Sequence, residues 1–319
     1  MDPTLFLSDL ERKPEILDAL ADALEKGDVL AGVSEDVDRV LLLGMGSSAY
    51  AAGVAAARLR SRGVDAVAEL ASSDLLPPAD PRTLVVAISA SGSSAETVAA
   101  VRPFVGRSPL LAVTNVPGSP ITDDADMVVQ MLAEPELGGV DCRTYQHTLV
   151  VLLALQHLLI GSEPDLVATV RQAAVASADL LDRRGDWLSD VTDALAGPSG
   201  TWAVAPFRRL SSAQQSALMI REGPRCPAVA CETGDWNHVD VYLTRTLDYR
   251  MLLFPGSGYE DELLRWTTER GATVVAVGED VVGASRVVRY LGDDEDDVRL
   301  LTEVLVAELV AQQLWASRR

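Results

Sequence analysis

At 319 residues the chain can hold one large α/β domain or two smaller ones, each with a real core. Hydrophobic residues make up 48% and charged residues 23%, which excludes a disordered chain, and no apolar run approaches the roughly 20 residues of a bilayer span. The formal net charge of −20 repels nucleic acid and anionic membranes, so neither is an expected partner, and any bound anion must be held by local dipoles.

Residues 4–25 show helical apolar spacing (Leu5, Leu7, Leu10, Ile16, Leu17, Leu20, Leu24), ended by Gly27. Short apolar runs at 40–43, 64–69, 84–88, 110–113 and 127–129 then alternate with helical segments at 48–60, 94–105 and 145–159. Continuous apolar strands interleaved with helices predict a parallel α/β sheet covered on both faces. A polar helical stretch, 163–196, leads to Gly197-Pro198-Ser199-Gly200, the strongest internal punctuation. Beyond it the pattern resumes, with strands at 202–205, 251–254 and 273–277 and helices at 211–222, 261–270 and 298–315. The second half reads as a diverged copy of the first.

Two segments carry the chemistry. Val40-Leu41-Leu42-Leu43 runs into Gly44-Met45-Gly46-Ser47-Ser48, and Val85-Val86-Ala87-Ile88 runs into Ser89-Ala90-Ser91-Gly92-Ser93-Ser94. Each is a strand that stops in glycine and hydroxyl residues before a helix, which offers backbone N–H groups and serine hydroxyls to a phosphate without any cation. One N-cap accounts for one serine, whereas the second loop sets four hydroxyls around a glycine. The first loop lacks the third glycine of a dinucleotide fingerprint.

Only Lys13 and Lys26 are lysines; every other basic residue apart from the histidines is arginine, so imine catalysis by a pocket lysine is nearly excluded. Three scattered cysteines (Cys142, Cys226, Cys231) make no disulfide framework, and Met1-Asp2-Pro3-Thr4 does not open a signal peptide, so a cytoplasmic location is expected. Cysteines and histidines lack metal-ligand spacing, and neither a metal nor a cofactor is expected.

Gly44-Met45-Gly46-Ser47-Ser48-Ala49-Tyr50, Ser89 through Thr97, and Leu111-Ala112-Val113-Thr114-Asn115-Val116-Pro117-Gly118-Ser119 resemble the sugar isomerase (SIS) family. The nearest pattern is the isomerase half of glucosamine-6-phosphate synthase, in which two such domains are joined in tandem. The resemblance implies two flavodoxin-like parallel sheets flanked by helices. The first domain, with the N-terminal helix, is expected over 1–165 and the second over 166–319. No glutaminase domain is expected ahead of them, Met1 not being followed by a nucleophilic cysteine.

The same resemblance implies that Gly46, Ser47, Ser48, Ser89, Ala90, Ser91 and Ser94 hold a sugar 6-phosphate. Ala90 stands where the synthase has a glutamine. Gly139, Asp141 and Arg143 fall near the expected pocket rim, where they either contact the sugar or are solvated loop residues. Ala217-Leu218-Met219-Ile220-Arg221-Glu222 resembles the helix ending in the family's catalytic glutamate, which makes Glu222 a candidate general base. From the residues alone it could equally be a surface glutamate at a helix C-terminus. Gly234-Asp235-Trp236-Asn237-His238 resembles the segment with a ring-opening histidine, so His238 is the candidate proton carrier, although Val239-Asp240 replace the family's Gly-Pro. His157 falls on an apolar helix face, and His147 remains ambiguous. In the synthase that histidine comes from the neighbouring subunit, which implies a homodimer with shared sites.

Met219 stands where the synthase has a lysine, and Ala316-Ser317-Arg318-Arg319 has no counterpart of its Schiff-base lysine. Ala205-Pro206-Phe207-Arg208-Arg209 lacks the glycines of the first-half loop, so one phosphate site is expected. The expected activity is deprotonation of an open-chain (amino)hexose 6-phosphate at C2, in an isomerase or deaminase reaction. Elimination of the C3 hydroxyl by a dehydratase or lyase, and a non-catalytic phosphosugar sensor, are the alternatives.

Overall fold

Asp2 begins the first helix, its carboxylate accepting the N–H groups of Thr4 (2.8 Å) and Leu5 at the start of α1 (Pro3–Glu11). The helical pattern over 4–25 is divided at Arg12, and α2 (Lys13–Lys26) starts anew with Pro14 in its first turn, where proline's missing N–H costs nothing. The structure, a computed structural model, describes residues 1–27, 29–34, 36–161 and 165–318.

The first sheet is built from β1 (Arg39–Gly44), α3 (Ser47–Ser61), β2 (Asp65–Leu70), β3 (Thr83–Ile88), α4 (Ala95–Val101), β4 (Leu110–Thr114) and β5 (Met127–Gln130), followed by α5 (Arg143–Ile160). Its strands are all parallel in the order β2-β1-β3-β4-β5, with Arg39 level with Asp65 on one side and Thr83 on the other. The three central strands are buried almost throughout, which is why they read as unbroken apolar runs. Leu41, Leu43, Val85, Ala87, Leu110, Ala112 and Phe104 pack into one core on this sheet. The helix expected over 94–105 ends at Val101 and tightens into a 3-10 turn (Arg102–Phe104) at Pro103, which cannot continue the α-helical hydrogen bonds.

The second half contains α6 (Leu166–Asp182), α7 (Arg184–Leu195), β6 (Thr201–Ala205), α8 (Leu210–Glu222), β7 (Ala228–Glu232), α9 (Thr233–Trp236), β8 (Arg250–Leu253), α10 (Glu260–Glu269), β9 (Thr273–Val277), β10 (Arg286–Val288), α11 (Asp296–Thr302) and α12 (Val304–Ala316). Its strands pair, again all parallel, as β7-β6-β8-β9-β10, so β6, β7 and β8 repeat the arrangement of β1, β2 and β3. Edge strands β7 and β10 have no counterpart among the predicted elements. Glu163, the expected start of the polar helix, lies outside the described residues. On this sheet Trp202 stacks on Tyr249 at 4.3 Å, and the Trp236 Nε1–H donates to the Tyr249 hydroxyl at 2.7 Å inside the core.

The chain divides into two units. One comprises Ile16–Pro135 and Asp141–Arg171, and the other Met1–Glu15, Glu136–Val140 and Gln172–Arg319. Helix α1, expected with the first half, therefore groups with the second. Phe6 meets Trp315 of α12 at 6.2 Å, and wholly buried Lys13 forms an ion pair with wholly buried Glu308. The Asp9 carboxylate accepts the Gly138 N–H at 2.6 Å, which carries the short segment 136–140 into the same unit. A side chain on Gly138 would fall 2.5 Å from the Phe6 Cα, so glycine is required there. No described helix is long and apolar enough to cross a membrane.

Candidate functional site

Strand β1 has β2 on one side and β3 on the other, so the chain crosses in opposite directions from it and the strand order reverses there. Such a reversal leaves a crevice outside the carboxyl ends of the two strands, the usual ligand position in an open α/β sheet. The loops Gly44–Ser48 and Ser89–Ser94 follow β1 and β3, so the fold brings Gly46, Ser47, Ser48, Ser89, Ala90, Ser91 and Ser94 to one crevice.

Within the first loop, Gly46 takes φ +51 and ψ −126 at the N-cap of α3, and no side chain caps that helix. Gly44 is equally constrained, since a Cβ there would lie 2.8 Å from the Ser48 Cβ. Ser47 and Ser48 are half-buried, and their hydroxyls bond to no other described group. An uncapped helix start with two uncommitted hydroxyls can accept an anion without a cation.

The second loop is more heavily braced. Ser89, 5% exposed, donates its N–H to Val113 O and leaves its hydroxyl uncommitted, and Gly92 N–H closes the turn onto Ser89 O at 3.0 Å. Ser91 Oγ accepts from the Ser93 N–H (3.3 Å) and hydroxyl (3.1 Å). Ser94 caps α4 by accepting from the Thr97 N–H, and it donates its one proton to Glu96 Oε2 at 3.0 Å. Its own amide and that serine hold the Glu96 carboxyl below its ordinary value, so Glu96 stays charged. Ser94 is thus committed to its own helix, while Ser47, Ser48 and Ser89 keep theirs available.

Sequence reasoning gave no role to the groups that hold this loop. Ala90 O accepts both the Asn115 N–H (3.1 Å) and the Thr114 hydroxyl (3.3 Å). Asn115 also accepts Ala133 N–H and donates to Glu134 O, both at 2.9 Å. Gly92, at φ +64, leaves no room for a Cβ beside Ser119, whose buried hydroxyl has no partner among the described residues. The signal was the Thr114–Ser119 segment at the end of β4, which by itself resembles any polar turn.

The three rim candidates separate. Arg143 is wholly buried, with its guanidinium donating to Ala133 O (3.0 Å) and Pro135 O (2.7 Å). It braces the 133–135 segment from within the first-sheet unit. Asp141 is exposed at the start of the same stretch. Gly139, at φ +76, belongs to the other unit and lies against Met1. His147 is buried with Nδ1 2.7 Å from Met131 O, and His157 is half-buried near the end of α5.

Glu222 and His238 both belong to the second-sheet unit. Helix α8 leaves the carboxyl end of β6 and returns, so Glu222 at its last turn sits at the amino edge of the sheet. Strand β7 then runs back, and His238 follows α9 beyond its carboxyl end. The five residues of β7 hold the two apart by roughly 16 Å along the sheet. Burial raises the Glu222 carboxyl above its ordinary value, with Arg221 pulling weakly the other way. His238 is exposed among the exposed side chains Val239, Tyr242 and Tyr259.

A family model for the SIS domain matches residues 35–158, which hold the first sheet and its crevice. The isomerizing glutamine–fructose-6-phosphate aminotransferase of Thermococcus kodakarensis is 23% identical over 340 residues, covering 99% of this chain. The chain spans 56% of that relative's length and less of other curated relatives. The C-terminal domain of glucosamine-fructose-6-phosphate aminotransferase from Francisella tularensis shares the fold with a TM-score of 0.81 at 15% identity, over 98% of this chain and 96% of that one. Glucosamine-6-phosphate deaminase from Thermotoga maritima does so with a TM-score of 0.79 at 17% identity, over 98% and 95%. The paired glycine–serine loops, and the strand order that sets them side by side, fall within residues 35–158, the part of this chain that matches the SIS domain.

Proposed function

We propose that the chain is an enzyme that binds a hexose or amino-hexose 6-phosphate and moves a proton between C2 and C1 of its open-chain form. The observation that carries this reading is the crevice at the β1/β3 reversal, where Ser47, Ser48 and Ser89 offer uncommitted hydroxyls beside an uncapped helix start. Neutral donors of this kind suit a phosphate dianion on a protein of strongly negative net charge. The second sheet, with the same strand order, is read as a second SIS domain supplying the chemistry.

In this reading the Glu222 carboxylate takes the C2 proton, the C–H bond's electron pair enters a C1–C2 enediolate, and reprotonation at C1 gives the ketose. Its raised pKa suits a base working near neutrality. His238 assists ring opening from a second copy of the chain. Two features support that assignment: the separation of the two residues along one sheet, and the exposed apolar side chains around His238. Both exposure and aromatic content suit an interface.

A lyase reading draws on one specific observation. Lys13 is sealed in an ion pair with Glu308, so it cannot serve an imine route, and elimination of a C3 hydroxyl needs only a base and an acid. Solvent-proton exchange at C2 of glucose 6-phosphate, glucosamine 6-phosphate and N-acetylglucosamine 6-phosphate, and at C1 of fructose 6-phosphate, tests the proposal. Exchange that disappears in Glu222→Gln supports it. Tight binding without exchange would make the protein a sensor, and an unsaturated product absorbing in the ultraviolet would move it to the lyase branch.

A further inference from the structure

The second sheet has its own reversal, between β6 and β8, and its mouth is built differently. Three guanidiniums converge on Gly256, which follows β8 at φ +117. A Cβ built there would lie 2.9 Å from Arg208 Nη2, 3.2 Å from Arg209 Nη2 and 3.6 Å from Arg299 Nη1. Arg208 donates to Gly256 O, Arg209 to Pro255 O, and Arg299 to Gly278 O, so all three are fixed to backbone at the carboxyl edge. Arg209 is wholly buried. Four carboxylates lie beside these three cations: Asp296 on Arg208 and Arg209, Glu303 on Arg209, Glu279 on Arg299, and Glu260 near Arg209.

Glu260 is bound differently from the other three. One of its oxygens, Oε2, accepts the N–H groups of Gly256 (2.6 Å) and Ser257 (2.8 Å), which follow β8 in the chain. That is the hydrogen-bond pattern of a bound oxyanion, supplied by the chain itself. With Glu260 withdrawn, three cations face three carboxylates and both amides lose their acceptor. A further donor stands by: the Tyr290 hydroxyl is buried with no hydrogen-bond partner among the described residues, 3.5 Å from the Cβ position of Gly278, beside Arg299.

We propose that the β6/β8 mouth is a second oxyanion site, selective for a phosphate or carboxylate group, which the Glu260 side chain occupies as an intramolecular competitor. An incoming oxyanion replaces one carboxylate with another anion, so the charge balance around Arg208, Arg209 and Arg299 is kept. Tethering gives Glu260 an effective concentration in the millimolar range or above, which keeps the site shut at low ligand. The site does not depend on the β1/β3 crevice, and its test separates the two.

Inorganic phosphate is titrated into the full chain and into Glu260→Ala, each also carrying Ser89→Ala, while the Gly256 and Ser257 amide resonances are followed. Glu260→Ala should bind phosphate at least tenfold more tightly at these amides than the parent, and further Arg208→Gln should reverse the gain. If Glu260→Ala does not fold, Glu260→Gln, which keeps the shape and loses the charge, gives the decision by the same titration. Amides that do not respond in either variant overturn the proposal, as does a response that survives Arg208→Gln. Loss of binding at the first crevice in Ser89→Ala leaves these outcomes unaffected.

Discussion

Gly92 offers the sharpest test of how the loop Ser89–Ser94 is held. Alanine there must adopt φ +64, a left-handed conformation costing a non-glycine residue about 1–2 kcal/mol. Its Cβ would lie 1.8 Å from Ser119 Oγ, 2.5 Å from Ser119 Cβ and 2.8 Å from Thr114 Oγ1. Rotating the Ser119 hydroxyl relieves only the first contact, because the second is to a Cβ fixed by the backbone. Overpacking of this kind costs about 1–3 kcal/mol. Gly92→Ala should therefore destabilise the first-sheet unit by about 2–5 kcal/mol in total. Pairing it with Ser119→Ala removes one clashing atom, and with Ser119→Gly removes both, so recovery should rise in that order. The Ser119 hydroxyl forms no hydrogen bond whose loss would mask the gain. Urea denaturation followed by far-ultraviolet circular dichroism is the assay. Tryptophan fluorescence is unsuitable, since Trp187, Trp202, Trp236, Trp266 and Trp315 all lie in the other unit. A Gly92→Ala protein within about 0.5 kcal/mol of the parent, the spread of an ordinary surface change, would refute the reasoning. So would equal recovery with Ser119→Ala and Ser119→Gly.

The remaining predictions concern titratable groups. Glu222 must be ionised to act as a base, and its pKa is raised, so kcat/KM should fall with decreasing pH through a limb lying above the ordinary carboxylate range; a limb at or below 4.5 would remove Glu222 from the role. Lys13→Met leaves Glu308 buried without its cation and should cost roughly 3–5 kcal/mol in chemical denaturation at pH 7, whereas Lys13→Met/Glu308→Leu should be nearly neutral. In Lys13→Met that cost should shrink as pH falls. Burial already raises the folded-state pKa of Glu308 above its unfolded value near 4.5, so the folded form binds the proton first and gains stability toward acid. A pH-independent cost would count against it. The Cys231 thiol is pushed up to about 12, chiefly by burial and then by Asp240, so at pH 8 about one molecule in ten thousand carries the thiolate. An alkylating reagent followed by mass spectrometry should modify half-buried Cys226 well before Cys231, and equal rates would contradict that burial.

What could be read from the residues follows burial. Strands β1, β3 and β4 are enclosed on both faces, so composition alone marks them, and the glycines that end β1 mark its loop. Strands β7 and β10 are sheet edges with alternating or partial exposure, and the run Ala228-Val229-Ala230-Cys231 is short and built mostly of small side chains, unlike the leucine-rich β1. The breaks at Arg12 and Arg183 fall in helical patterns whose periodicity does not register a change of axis. In the crevice, the serines were visible as a surplus of hydroxyls. Which of them is spent on capping was not, because Ser94's bond to Glu96 is a matter of rotamer. The burial of Arg143 was hidden for a related reason. A cation near a suspected anion site suggests a ligand contact, and the sequence gives no sign that its guanidinium donates to the carbonyls of Ala133 and Pro135. The regrouping of α1 rests on Lys13, Asp9 and Phe6 meeting partners far along the chain, a relation that no local window contains.

That regrouping bears on how the polypeptide can be divided. Cutting between the halves would not release two self-sufficient pieces, because the downstream fragment would leave behind the first fifteen residues. It would strand the Glu308 carboxylate in an apolar cleft and strip Phe6 from the Trp315 ring. A circular rearrangement that appends the opening helix after the last one respects the physical seams. During synthesis, the leading segment must also wait for the final helix to emerge before its lysine can be neutralised.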